Sequence, residues 1–404
     1  MDKKPEKLVP EVRFKGFTDD WEQRKLGEVI LDYKRKNNND RLPVLTSSFQ
    51  GIEYQEKHFG SQQKHDTSDY NVLPKEYMTY RNRSDNGYFR FNINNLGVTG
   101  IVSKFYPVFT TINTNKLFLA SYINHNHRLK NHFKVVSVGT SQHVLSLRNF
   151  KKTNLLFPSK DEQDQIGKFF NLLNRAITLQ QRKLEQLKQL KKAMLQQLFV
   201  DKNNKQPTLR FKNFKGDWKQ HRLGEISTKV TTKNQSNASL PVFTNSAKDG
   251  IVNQEKFFDK QIANNTSNYY VVNNNDFVYN PRISKNAPFG PIRRNTLNKT
   301  GIMSPLYYIF SLSHNTDENF LSFYFLSSKW YKFMYENGDS GARSDRFAIK
   351  DKVFQQMPIK LPLIIEQTEI GKFLNYVNIL ISLQQTKLTQ LTTLKKYLLQ
   401  KMFI

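Results

Sequence analysis

Few side chains in this 404-residue sequence are arranged for chemistry. The first group is His125, His127 and His132, which could ligate a metal or, through the string His125-Asn126-His127, suggest an HNH nuclease. An HNH site takes its histidines from separated strand and helix positions. The stretch from Asn124 to His132 instead reads as a solvated turn, so a metal role is set aside. Tyr279-Asn280-Pro281-Arg282 shares two residues with the Asn-Pro-Pro-aromatic signature of amino-methylating DNA methyltransferases, but lacks the second proline and the aromatic that stacks on a flipped base. Gly167-Lys168 and Gly371-Lys372 lack the upstream glycine of a phosphate-binding P-loop, and neither GxGxxG nor GxSxG occurs. Asp161, Glu162 and Asp164 are read as helix N-terminal residues favoured by the dipole rather than as a catalytic set. With no cysteine there is no disulfide framework and no thiolate-bound metal. The expectation is a chain with no catalytic residues and no metal of its own: a binder.

What it binds is indicated by charge. Sixty-two Lys and Arg against 34 Asp and Glu leave +28, an excess that calls for a polyanion, with nucleic acid first. The 31 Phe, 18 Tyr and 3 Trp supply more aromatic surface than a disordered basic tail carries, so the chain folds. No secretory signal is evident at Met1 to Lys7, and no run approaches the roughly 18 apolar residues of a membrane span. A cytoplasmic protein without membrane partners is expected.

The chain repeats itself. PEVRFKGFTDDWEQRKLGE from Pro10 returns as PTLRFKNFKGDWKQHRLGE from Pro207, and Ile166-Gly167-Lys168-Phe169 returns as Ile370-Gly371-Lys372-Phe373. The offset grows from 197 at Trp21 and Trp218 to 204 at the second pair, so small surface-loop insertions lie between. Two homologous halves follow. Up to about Pro158 and again to about Pro362, short Val-, Ile-, Phe- and Tyr-rich runs are broken by Asn, Gly, Ser and Pro, which is strand and turn chemistry. Interleaved helical stretches, for example Asn319 to Tyr335, make each domain α+β.

Each half ends differently from how it begins. From Asp161 to Val200 there is no proline and a single glycine, and apolar residues recur at steps of four and three. The seam Ile166, Phe170, Leu173, Ile177, Gln180, Leu184, Leu187, Lys191, Met194, Leu198 is repeated 204 residues later, its polar Gln and Lys included. Such matched heptads predict two long helices pairing with each other, polar seam residues fixing register; the alternative is one amphipathic helix packed on each domain. The expected organisation is an N-terminal tail (1–10), a first domain (11–160), a central long helix (161–200), a linker (201–207), a second domain (208–362) and a C-terminal long helix (363–404). Leu173, Leu184 and Leu187, with Val377, Leu388 and Leu391, are expected in the pairing. The flanking Phe169, Leu179, Phe373 and Leu383 are expected to dock another subunit.

The halves diverge at two loops: Tyr80 to Asn86 against Asn280 to Asn286, and Gly139 to His143 against Gly341 to Arg346. Arg reads guanine and Asn or Gln reads adenine in the major groove. Arg81, Asn82, Arg83, Ser84, Gln142 and His143 in the first half, and Arg282, Ser284, Lys285, Arg343, Ser344 and Arg346 in the second, are therefore the candidates for DNA contact. The plainer reading makes each Arg a solvated or phosphate-facing residue.

Duplication, a strand-rich domain followed by a long helix, the motif Arg13, Phe14, Phe17, Trp21, Leu26-Gly27-Glu28 with its copy Arg210, Phe211, Phe214, Trp218, Leu223-Gly224-Glu225, and the helix-opening runs EQDQIGKFF and EQTEIGKFL together resemble the DNA-specificity subunit of type I restriction-modification systems. The resemblance implies target-recognition domains that each read part of a split duplex site, and long helices that pair antiparallel as a coiled coil. It implies no catalysis by the chain itself. Its implied partners are duplex DNA, two modification (methyltransferase) subunits carrying S-adenosylmethionine, and ATP- and Mg-dependent restriction subunits.

Helix length supports the same geometry: about 35 residues at 1.5 Å each is roughly 52 Å, comparable with about 15 base pairs of duplex. A helical ruler between two reading heads, and an asymmetric site because the loops differ, are the expectations. A self-sufficient methyltransferase or nuclease, active with cofactor alone, and a coiled-coil RNA-binding or structural protein are the competing readings. The charge is not a basic tail: each long-helix segment carries +3 and the remaining residues +22, similar per residue.

Overall fold

The computed structural model describes residues 9–38, 41–61, 66–139, 141–201, 203–234, 239–259, 266–339 and 345–403. The chain forms two compact units: Met1–Arg182 with Thr386–Ile404, and Lys183–Gln385.

In unit 1 a four-stranded antiparallel sheet runs in the order Ile30–Tyr33, Val108–Thr111, Met78–Tyr80, Phe91–Ile93. Tyr80, Phe91 and Phe109 project from it onto Phe150, with ring centroids 5.7, 4.7 and 5.6 Å away. The helices Lys116–His125 and His127–Val136 cover this core with Phe118, Leu119, Tyr122, Ile123 and Phe133. The hairpin Leu45–Ser48 with Gly51–Tyr54 turns at Gly51, whose φ of 129° favours glycine. The stretch from Asn124 to His132, expected as a solvated turn, is instead the junction of two helices. Buried Asn124 accepts from Phe91 N (2.9 Å) and donates to Phe91 O (2.7 Å), while Asn126 caps the second helix by accepting from Leu129 N. The polar asparagines that suggested solvent are tying off backbone groups inside the fold.

Unit 2 repeats the plan. Its sheet runs Ser227–Lys229, Tyr308–Leu312, Phe277–Tyr279, Ile292–Arg294. Its covering helix is Glu318–Leu326, and a second follows at Tyr331–Asn337. The helical stretch expected from Asn319 to Tyr335 is thus two helices, divided where Ser327 Oγ turns back onto Tyr324 O and Trp330 donates to Phe325 O.

A two-stranded ribbon closes each unit, Glu22–Lys25 with Asn154–Phe157 and Lys219–Arg222 with Pro358–Leu361. It delivers the chain to a 38-residue helix, Lys160–Gln197 in the first half and Ile364–Lys401 in the second. Inside unit 1, Ile166, Phe170 and Leu173 at the start of the central helix share a core with Leu391, Leu398, Leu399, Met402 and Phe403 at the end of the C-terminal helix. Phe403 stacks on Tyr122 at 5.0 Å and on Phe170 at 5.7 Å. Inside unit 2 the end of the central helix, Met194, Leu195 and Leu198, shares a core with Ile370, Phe373 and Leu374 at the start of the C-terminal helix. Start meets end in both units, so the helices pair antiparallel and the fold is α+β, as expected.

Candidate nucleic-acid interface

The residues nominated for DNA contact lie on loops that are remote in sequence, and each unit joins its two loops by backbone pairing. In unit 1 Arg83–Ser84 pairs antiparallel with His143–Val144, Ser84 opposite His143. Leu145 N donates to Asn82 O at 2.9 Å, continuing the ribbon. Gly139, at φ 104°, allows the turn leading in; a Cβ there would stand 2.3 Å from Gln142 O. In unit 2 Arg282 bridges Arg346, with Ile283 N donating to Asp345 O and Phe347 N to Pro281 O. The same pairing thus recurs with different side chains, so one scaffold presents two different edges.

Within these ribbons the side chains differ in freedom. Arg83 sits over Phe105, its guanidinium carbon 4.0 Å from the ring centroid, and Ser84 donates to Asn86 Oδ1. His143 Nδ1 is 3.0 Å from Ser137 Oγ. Gln142 Nε2 stands 3.5 Å from Asp85 Oδ1, and Arg282 Nη2 3.5 Å from Asp345 Oδ2, both at the outer limit of a hydrogen bond. Arg81, Ser284 and Lys285 are exposed, Lys285 at the tip of the Ser284–Ala287 turn. Arg346 is half-buried, and Arg343 and Ser344 lie outside the described residues.

Beside the unit 2 ribbon is a cleft of about 1000 Å³, lined in part by Tyr279, Tyr308, Lys229 and Arg346. Burial raises the Tyr279 phenol above its usual range, and its hydroxyl has no hydrogen-bond partner among the described residues. In unit 1 Tyr80, placed alike on its strand, donates to Leu145 O at 3.0 Å.

On the long helices, Leu173, Leu184 and Val377 are buried, while Leu187, Leu388 and Leu391 are half-buried. Of the four flanking residues, Phe169 and Phe373 belong to their domain cores, edge-on to Phe14 at 5.7 Å and Phe211 at 5.8 Å, because the aromatic of the opening motif folds back over the helix start. They are not open faces. Leu179 and Leu383 are open, each 62% exposed. Sequence reading missed their neighbours one heptad earlier, Leu172 and Tyr376, which are also exposed. The signal was available, since both pairs obey the 204-residue repeat and stand off the seam.

The opening motif is scaffold. Arg13 and Arg210 bind Glu162 and Glu366 through paired nitrogens. Gln163 and Gln367 each accept a backbone N–H, from Asn115 and Asp317, at the helices that cover the sheets. Trp21 packs edge-on to Phe118 and Tyr122, and Trp218 against Phe320.

The type I restriction modification DNA specificity domain matches this chain twice, over residues 18–189 and 215–393. A type I restriction enzyme MjaX specificity subunit of Methanocaldococcus jannaschii is 25% identical over 304 residues, covering 70% of this chain and 67% of the relative. The crystal structure of a type I restriction-modification S subunit from M. genitalium aligns over 98% of this chain and 99% of its own, with a TM-score of 0.59 at 12% identity. The HsdS subunit of Thermoanaerobacter tengcongensis aligns over 99% and 98%, with a TM-score of 0.48 at 16% identity.

Proposed function

This chain belongs to the type I restriction modification DNA specificity family, and from that premise we propose how its two units select a site. It is the non-catalytic specificity subunit, with DNA and the other subunits of a restriction-modification complex as partners. Each unit reads one half of a split duplex site through its ribbon, Arg81 to Ser84 with Gln142 and His143 in unit 1, and Arg282 to Lys285 with Arg343 to Arg346 in unit 2. The recurrence of one loop pairing with different side chains carries this reading. Because the side chains differ, the two half-sites differ, and the site is asymmetric.

Two modification subunits dock on the exposed faces that repeat along the long helices, Leu172 with Leu179 and Tyr376 with Leu383. Exposed apolar residues of this size at heptad spacing suit partner helices or loops. S-adenosylmethionine is bound by those subunits, and ATP with Mg by restriction subunits, in the cytoplasm. No helix among the described residues is long and apolar enough to cross a membrane.

The test is methylation mapping. The purified chain leaves DNA unmodified with S-adenosylmethionine alone, and with modification subunits it directs methylation to a motif with two unlike halves. A mapped motif with identical inverted halves would overturn the asymmetric reading, and modification by the chain alone would restore the self-sufficient enzyme.

A further inference from the structure

Unit 1 partly buries a group of cations with no carboxylate among them. Arg90 precedes the edge strand Phe91–Ile93, Lys130 lies on the helix His127–Val136, and Lys395 comes from the C-terminal helix. All three are half-buried. With Arg175, they have no hydrogen-bond or ion-pair partner among the described residues, and Arg90 Nε is a fully covered donor left unsatisfied. Arg90, His125, Arg175 and Lys395, with the amides of Asn171 and Asn174, line a cleft of about 700 Å³ that contains no acidic side chain. Burial and then the charge of Arg90 push Lys130 and Lys395 down. Burial first, and then Arg90, Lys395 and Lys130, hold His125 down to about 4 against its bond to Ser121 O. Cations removed from water without a counter-charge cost free energy that an opposite charge recovers.

Unit 2 has a lysine and an arginine at related places, but both are partnered. In unit 2 Lys191, the seam residue that matches Lys395, is pushed down by burial and by Arg293. Arg293 is on the strand Ile292–Arg294, its Nη1 donating to Ile292 O at 3.1 Å and its Nη2 to Ala247 O at 2.9 Å, while Lys191 Nζ stands 5.9 Å from the centre of the Phe323 ring. Strand register places Phe91 opposite Tyr80 and Ile292 opposite Tyr279, so Arg90 corresponds to Pro291, not to Arg293. The unpartnered cluster is therefore, among the described residues, a feature of unit 1.

We propose that the unit 1 cleft at Arg90, Arg175 and Lys395 binds phosphate groups supplied by the backbone of the bound duplex. This rests on the DNA-specificity reading above. A phosphate offers several acceptor oxygens to converging Arg, Lys and amide donors, and such contacts fix register on the duplex without reading sequence.

The experiment uses the full chain assembled with its modification subunits, binding its mapped duplex across a salt series. Arg90→Gln and Lys395→Gln should each lower the log–log salt slope by about 0.9 and leave the methylated motif unchanged. Each variant removes a repelling charge, so its melting midpoint in phosphate-free buffer should equal or exceed wild type. Added inorganic phosphate should then raise the wild-type midpoint more than that of Arg90→Gln or Lys395→Gln. Phosphate stabilisation with unaltered DNA slopes would overturn the backbone as the source and assign a free anion. Unaltered slopes without phosphate stabilisation would overturn the site itself. Loss of modification subunits with DNA slopes unaltered would assign the cleft to an acidic protein segment and overturn the proposal too. A wild-type complex that fails to bind duplex would instead remove the specificity reading on which it rests.

Discussion

Arg13 holds both carboxylate oxygens of Glu162, 149 residues further along the chain, Nε to Oε1 at 2.8 Å and Nη2 to Oε2 at 2.7 Å. Glu162 is fully buried and Arg13 half-buried. Arg210 and Glu366 repeat the geometry in unit 2. Each pair locks the opening motif of its half to the first turn of its long helix. Removing one partner leaves a buried charge alone, so Arg13→Met or Glu162→Met should destabilise unit 1 by about 3–5 kcal/mol. Replacing both Arg13 and Glu162 with Met should cost less than either single change. Melting of the four proteins as a double-mutant cycle checks this; additive losses would mean that the pair is not coupled.

Glycine in the helix-opening run has a packing reason. A Cβ at Gly167 would stand 2.4 Å from Asn115 Oδ1, and at Gly371 2.9 Å from Asp317 Oδ1. Those oxygens cap the helices that cover the sheets, accepting from Phe118 N at 2.9 Å and Phe320 N at 2.8 Å. Gly167→Ala, although it raises helix propensity, should therefore destabilise unit 1 by roughly 1–3 kcal/mol through the displaced cap and the overpacked contact. Urea denaturation measures the shift in midpoint, and an unchanged or raised midpoint would count against the cap.

The features most legible in the sequence were those with a period. Heptad spacing located both long helices, and the 204-residue repeat of their seams anticipated that they pair. What stayed hidden depended on who meets whom in space. Glu162 looked like a dipole-favoured first-turn residue, and it does sit in that turn, but its burial under Arg13 has no local signature. Asn124 and Asn126 look solvent-seeking by composition, yet they are buried because Phe91 and Leu129 need polar partners. Phe169 and Phe373 lie off the seam, which suggested open faces; Phe14 and Phe211 cover them from the start of each half. Divergence between the halves nominated two loops in each unit, but nothing in either loop announced that the two pair with each other.

The pairing separates the arginines by role. Arg83 is laid over Phe105, whereas Arg81 is exposed without a partner among the described residues. Arg81→Ala should cost about 1–3 kcal/mol of site binding and relax selectivity at one base position of one half-site. Lys285→Ala should do the same on the other half, or weaken all sequences equally if it meets a phosphate. Binding to a library of duplexes substituted at every position tells these apart. Relaxation in both halves from one substitution would contradict one reader per half.

Asp276 is buried in unit 2 beside the sheet, and burial raises its carboxyl to about 6 against the pull of the Asn273 N–H, which it accepts at 2.7 Å. An acid whose folded value lies above its unfolded value of 3.8 binds its proton more tightly when folded. The contribution to stability is therefore full below about pH 4 and lost as pH rises through 6. Asp276→Asn keeps an oxygen for the Asn273 N–H and cannot ionise. It should match wild type near pH 4 and exceed it by roughly 1–3 kcal/mol at pH 7.5. Melting at both pH values checks the sign; a variant less stable than wild type at pH 7.5 would mean that the ionised carboxylate is stabilising.

The two helices are the same length, 38 residues each, about 57 Å at 1.5 Å per residue. If they set the unread spacer, the lengths must change together, because an insertion in one helix alone throws its seam out of step with its partner's. Seven residues restore both the heptad phase and the facing of each seam, adding about 10 Å, the rise of roughly three base pairs. Inserting one heptad after Glu185 and one after Thr389 should therefore preserve assembly and lengthen the spacer in the methylated motif by about three base pairs. Both half-sites should stay as they were. An insertion in a single helix should weaken assembly without yielding a new spacer. An active complex with both insertions and an unchanged spacer would show that the helices hold the subunit together but do not measure DNA.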